Sequence, residues 1–181
     1  MKLMIASDLH GSAYYTGLLM EALERENPDK LLLLGDLLYH GPRNDLPRDY
    51  APKQVIALLS AHKDKLLCVR GNCEAEVDQM VLPFPVLSEY AMVYTGERTL
   101  WMLHGHKNLD LPLGPGDVLL CGHTHVPAIR REGEHFYVNP GSVSIPKEGS
   151  CHGYMTLEGK LLTHQSMVPG EKVLPPFTFS E

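Results

Sequence analysis

The sequence predicts an α/β fold of two packed, mixed β-sheets with helices on the outside. Three observations predict it. Up to Pro85, short apolar runs alternate with segments of helical period. After Pro85, strand-like runs follow one another between Gly, Pro and charged turns. No linker separates the two halves, so their sheets are expected to pack as one body. The 181 residues are read as one domain, 1–181, with a Pro-rich tail from about 168.

Each element has its own reason. KLMIAS (2–7) is a short apolar run, a buried strand. Residues 12–26 carry apolar side chains at helical spacing behind Ser12, a good N-cap, and Asn27-Pro28-Asp29 ends that helix. LLLLG (31–35) is the second strand. The polar loop 39–50 that follows is long for a plain connector, which points to a functional loop. Residues 51–62 read as a helix with Pro52 near its start. LLCV (66–69) is the third strand and 74–80 a short helix. AMVYT, TLWMLH, VLLCG, PAIRR, HFYVN, GYMTL and KLLTHQS are then seven strand candidates, and the tail VPGEKVLPPFTFSE reads as extended.

Composition narrows the function classes. The net charge of −6 argues against a broad electrostatic grip on nucleic acid, so no stable nucleic-acid complex is expected. No apolar run approaches the ~18 residues of a membrane span. The apolar start MKLMIAS is short for a signal core and is interrupted by Asp8, so a cytoplasmic protein is expected. The four cysteines form no CxxC pair and read as free thiols, with Cys68 and Cys121 filling core positions.

The chemistry lies at the ends of the apolar runs. KLMIAS leads to Asp8 and His10, LLLLG to Asp36, and LLCVRG to Asn72. TLWML leads to His104 and His106, and VLLCG to His123 and His125. In open α/β sheets, ligands bind at the carboxyl ends of strands. A single DxH or GD after a strand is usually a turn, and a lone histidine is usually a satisfied one. GHTH is stronger, because residues i and i+2 of an extended segment face the same side. Repetition at five strand ends carries the metal reading. Mixed oxygen and imidazole donors without thiolate suit Mn, Fe, Zn, Co or Ni better than Mg or Ca. Seven donors exceed one ion and fit two that share a carboxylate. A neutral Asn72 suits such a site: its carbonyl oxygen can bind metal while its NH₂ donates to phosphate.

DLH (8–10), GDLL (35–38), GNCE (71–74), HGH (104–106) and GHTH (122–125) resemble, in order, the signature of the calcineurin-like metallophosphoesterases. NPGSVSIPK (139–147) and HGPRN (40–44) are similar to small bacterial phosphodiesterases within that family. The resemblance implies a four-layer αββα sandwich and a metal-dependent phosphodiesterase. It implies Asp8, His10 and His125 on one ion, Asn72, His104 and His123 on the other, and Asp36 bridging. It also implies a hydroxide between the ions as nucleophile. Mn²⁺ is the expected metal, with Zn²⁺, Fe²⁺, Co²⁺ and Ni²⁺ open. Asp36, Asn72 and His104 are then the catalytic group, and Asn72, Arg43 and Cys73 the substrate contacts.

Cys73 stands where many members of that family carry a histidine suited to protonating the leaving oxygen. A thiol is a poor substitute, which favours diesters or activated esters over alkyl monoesters and leaves Cys73 as a bystander beside the metals. Arg43 either grips phosphate or pairs with Asp45 or Asp49. Glu74 is expected to cap the short helix or to support a ligand. Arg70, His62, His135, His152 and His164 read as structural. The expected partner is a small phosphodiester, with a homo-oligomer left open. A phosphomonoesterase and a binding scaffold like retromer's phosphoesterase-like subunit are the rival readings. Every ligand position is filled here, which favours an enzyme.

Overall fold

A computed structural model describes residues 1–180. The strands are β1 (Lys2–Ala6), β2 (Lys30–Leu33), β3 (Leu66–Cys68), β4 (Ala91–Tyr94), β5 (Thr99–Met102) and β6 (Val118–Leu120). They continue with β7 (Ala128–Glu132), β8 (His135–Asn139), β9 (Gly153–Glu158), β10 (Leu161–Ser166) and β11 (Phe177–Thr178). The helices are α1 (Ala13–Glu26), α2 (Pro52–Ser60) and α3 (Glu76–Val81), with a 3₁₀ turn at Lys63–Lys65.

Two mixed sheets form. The first runs β11-β10-β9-β1-β2-β3 and the second β4-β5-β6-β8-β7. In the first, β1, β2 and β3 are parallel, and β9 is antiparallel to β1. In the second, β5, β6 and β8 are parallel, with β4 and β7 antiparallel at the edges.

Alternation along β1 shows how the layers stack. Leu3 and Ile5 enter a core shared with Leu100, Met102, Val118, Leu120, Phe136 and Val138 of the second sheet. Met4 and Ala6 face the other way, into a core shared with Leu19 and Leu23 of α1 and Val55 and Leu59 of α2. A strand buried on both faces needs an unbroken apolar run, which is what KLMIA and LLLL are.

The expected two-sheet sandwich is therefore present, with α1 and α2 on the outer face of the first sheet. Among the described residues every helix precedes Pro85, so the chain after it supplies no helix to the outer face of the second sheet. That outer face carries amphipathic side chains instead: Met92 and Tyr94 are exposed, and Arg130 lies 3.7 Å from the Tyr137 ring centre. The tail is mostly extended, as expected. Its Phe177 and Phe179 pack on Phe136, and Phe179 is buried.

Local signals held for α1, where the Tyr15 amide donates to Ser12 Oγ at 3.2 Å and Asn27 ends the helix at φ 43°. They failed at α3, which begins at Glu76 rather than at 74. Glu74 is drawn inward before the helix starts, for a reason that belongs to the site. No helix among the described residues is long and apolar enough to cross a membrane.

Candidate metal centre

Where β1, β2, β3, β5 and β6 end, the backbone turns sharply. Asp8, His10, Asp36, His123 and His125 all have positive φ, between 47° and 67°. Non-glycine residues rarely hold this conformation, and clusters of such strain mark functional sites. Two glycines let the turns approach. A Cβ on Gly71 would collide with Asp36, and one on Gly122 with Ser7.

The turns bring all seven predicted ligands to one place. Ligand atoms of Asp8, His10 and His125 lie within 4.8 Å of one another, as do those of Asp8, Asp36 and His104. Asp36 Oδ2 stands between the groups, 3.8 Å from His10 Nε2 and 3.4 Å from His104 Nε2. Asn72 Oδ1 lies 3.1 Å from His104 Nε2. The His123 ring centre is 5.1 Å from that of His104, and its backbone N–H donates to Asp8 Oδ2 at 3.0 Å.

The imidazoles are held in one orientation. Nδ1 of His10, His104 and His125 meets the carbonyls of Tyr39, Leu34 and Ile145 at 2.8, 2.6 and 2.6 Å. A carbonyl can only accept, so each Nδ1 carries a proton and each Nε2 faces the centre, offering a lone pair to a metal once any proton it holds is displaced. Histidines that hold metals are supported in this way. Asp8 Oδ1 is buried and accepts no hydrogen bond. Inward-facing Nε2 atoms around an unsatisfied carboxylate oxygen form a donor set that a divalent cation would complete.

Electrostatics agree with that reading. Burial opposes ionisation of Asp8, yet His10 and His125 hold its carboxyl far below the usual range. Burial also opposes charge on His104, yet Asp36 and Asp8 push it up to about 9. The centre attracts positive charge, whether protons or metal.

Glu74 is almost fully buried, and its carboxylate accepts the backbone N–H groups of Asp36, Leu37 and Gly71 at 2.9, 2.7 and 2.5 Å. It ties the turn bearing Asp36 to the turn bearing Asn72. This is why it precedes α3 instead of joining it, and the Ala75 N–H takes Asp78 as its cap at 2.8 Å. Burial, with Asp36 close by, raises Glu74 to about 7.

A cavity of about 410 Å³ opens over the centre, lined by His10, Asp36, Asn72, His123 and His125, and by Arg43. Arg43 makes no ion pair with Asp45 or Asp49. Cys73 is not among the lining residues. Its Sγ lies 3.3 Å from Asn72 Nδ2, and burial with Asp36 nearby raises its pKa, which keeps it a thiol. Arg70 donates to the Glu74 carbonyl at 3.2 Å and does not line the cavity. All four cysteines are free.

Sequence reasoning missed Asn44, Thr124 and Lys147, which also line the cavity. It also missed Ser142 and Ser144, whose hydroxyls donate to the Asp8 carbonyl at 2.8 and 3.2 Å. The segment NPGSVSIPK was itself a signal, but which side chains it presents depends on how it wraps Asp8.

With this geometry in place, four likenesses bear on the chain. A family model described as the calcineurin-like phosphoesterase superfamily domain matches residues 1–160. Phosphodiesterase YfcE of Escherichia coli strain K12 is 45% identical over 167 residues, 90% of each chain. The solved structure of YfcE, a phosphoesterase from E. coli, matches with a TM-score of 0.93 at 41% identity, covering 99% of this chain and 100% of that one. Vps29 from Entamoeba histolytica matches with a TM-score of 0.68 at 20% identity, covering 99% and 100%. At that identity the Vps29 likeness shows the fold alone.

Proposed function

The chain belongs to the calcineurin-like phosphoesterase superfamily and is a metal-dependent phosphoesterase; we propose that it hydrolyses a small phosphodiester at a two-ion centre. In this reading Asp8, His10 and His125 hold one ion, Asn72, His104 and His123 the other, and Asp36 is shared. The observation that carries it is the set of inward-facing imidazole Nε2 atoms around Asp8 Oδ1, which has no other partner. Bound there, two divalent ions lower the pKa of water and neutralise phosphate charge. Mn²⁺ suits the mixed oxygen and imidazole donors, and Zn²⁺, Fe²⁺, Co²⁺ and Ni²⁺ are the alternatives to test.

The chain's own residues do the rest. Carbonyl bonds to Nδ1 fix His10, His104 and His125, so no ring has to reorganise when substrate arrives. Asn72 turns Oδ1 to His104 and keeps an NH₂ group for a phosphate oxygen. Arg43 and Lys147, on the cavity wall, bring positive charge to the phosphate. Asp36, Asn72 and His104 form the catalytic group.

Cys73, neutral beside this centre, supplies neither a thiolate nucleophile nor a strong acid, which favours diesters over alkyl monoesters. We place the reaction in the cytoplasm on a small substrate, without a stable nucleic-acid partner.

The test is to strip the protein with chelator, restore Mn²⁺, and assay bis(p-nitrophenyl) phosphate beside p-nitrophenyl phosphate. Diesterase activity that returns with metal and is lost in Asp36→Asn and His123→Ala supports the proposal. Turnover of the monoester alone refutes the diester preference.

A further inference from the structure

A second cavity, of about 490 Å³, opens beside the first and shares Arg43 and Asn44 with it. One wall is the 39–50 loop, carrying Leu46 and Pro47; the other is the 140–147 segment, carrying Ile145 and Pro146. His152 closes one end. We infer that this groove takes one ester substituent of the diester, and that the substituent is largely apolar. The inference rests on the phosphodiesterase reading of the first cavity.

Three observations carry it. The first is continuity. A phosphate held beside Arg43 lies at the junction, so one of its two ester groups can extend into the groove without crossing protein. The second is chemistry. The metal-side cavity is lined with histidine, carboxylate, amide, hydroxyl and cationic groups and has no aliphatic side chain, whereas the groove adds Leu46, Pro47, Ile145 and Pro146 beside the polar Asp45, Ser144 and His152. Leu46 is 63% exposed, an apolar side chain held in water beside a polar site. Apolar walls with a few polar groups are the make-up of a small-molecule pocket.

The third observation is anchorage. Tyr39, at the start of the loop, gives its carbonyl to His10 Nδ1 at 2.8 Å. Asn44 Nδ2 donates to the His40 carbonyl at 2.8 Å, and Ser12 Oγ to the Arg48 carbonyl at 2.6 Å. Arg48 itself packs 3.5 Å from the Tyr14 ring centre. On the opposite wall the Ile145 carbonyl meets His125 Nδ1 at 2.6 Å, and the Ile145 amide donates to Ser142 Oγ at 2.9 Å. His152 is stacked on Tyr15 at 4.0 Å, and its Nδ1 meets Glu171 at 2.8 Å. The residues that orient the candidate ligands thus also hold the groove, so substituent and reacting phosphorus keep a fixed relation. A preformed groove adds affinity because little ordering is left to do on binding.

The experiment compares phenylphosphonate with methylphosphonate by calorimetry on the Mn²⁺-loaded protein. At a pH above both second ionisations the two are dianions and differ only in the substituent. Phenylphosphonate is expected to bind about tenfold tighter, through apolar area removed from water. Leu46→Ser should reduce that ratio to about threefold or less, Leu46→Trp should raise it, and methylphosphonate should bind both neutral variants as it binds the original. Because Leu46 is exposed, both variants are expected to fold. Equal affinity for the two ligands, or a ratio that neither variant moves, overturns the groove assignment and leaves the phosphate site standing. Failure of both ligands to bind overturns the phosphate site and the groove together.

Discussion

The Nε2 atoms of His10 and His125 face each other at 3.2 Å, and both rings are locked in that pose by a carbonyl on Nδ1. Asp8 Oδ1 completes the triangle, 3.5 Å from His10 and 3.2 Å from His125. Two imidazole nitrogens and a carboxylate oxygen at such distances repel one another unless a proton or a metal ion lies among them. A divalent ion that displaces those protons binds only the folded arrangement and so stabilises it. A hundredfold excess of Mn²⁺ over its dissociation constant should stabilise the fold by about 2.7 kcal/mol, raising Tm by about 5–10 °C. His125→Ala should remove most of that rise. Differential scanning calorimetry with and without Mn²⁺ measures it, and equal melting in both conditions would contradict the cation requirement.

Glu74 is expected to act through position. Glu74→Gln replaces one acceptor oxygen with an NH₂ that faces backbone N–H groups, costing about 2–4 kcal/mol by denaturant unfolding. A purely structural role predicts that loss alone. A role in holding the Asp36 and Asn72 turns together predicts that Mn²⁺ affinity also falls, by about tenfold or more. Calorimetric titration of the folded variant separates the two.

Cys73 is expected to be chemically quiet. Its raised pKa leaves little thiolate at neutral pH, so iodoacetamide should modify it far more slowly than a free thiol. Cys73→Ser should keep diesterase turnover within about threefold, since no step is assigned to the sulfur. Cys73→His, which restores an imidazole acid, should raise turnover of alkyl monoesters. Unchanged monoester turnover would remove the explanation offered for the diester preference.

The strand-end ligands were legible because two patterns coincide in them: an apolar run sets the strand, and the polar residues that end it set the site. The sandwich was legible for the same reason, through the change of period after Pro85. Lys147, Asn44 and Thr124 were not, because they lie in turns whose direction is fixed by tertiary hydrogen bonds such as Ser142 to Asp8. The start of α3 was misplaced because a glutamate has high helix propensity, and only the folded chain shows Glu74 accepting three backbone N–H groups 3–38 residues away. The positive φ at Asp8, His10, Asp36, His123 and His125 has no signature in composition.

Acid stability should depend on His164, far from the ligands in sequence. Burial pushes its pKa down to about 4, with the Pro140 carbonyl opposing that shift. The Leu174 amide donates to its Nδ1 at 3.0 Å, so the buried ring is neutral and helps dock the tail. The unfolded chain takes up this proton near pH 6.5 and the folded protein only near 4, so the stabilisation is complete above about 6.5 and is lost as pH falls towards 4. The loss is on the order of 3 kcal/mol. His164→Gln, which keeps an acceptor for Leu174, should flatten that part of the urea-unfolding profile; a profile as steep as before would contradict it.

We propose that five strand ends build one centre for two ions sharing Asp36. Equilibrium dialysis of Mn²⁺, with electron paramagnetic resonance on the same samples, tests it most directly. Two ions per chain are expected, with a spectrum that shows exchange coupling and loses it in Asp36→Asn. One ion per chain, or two uncoupled ions unaffected by Asp36→Asn, would contradict it.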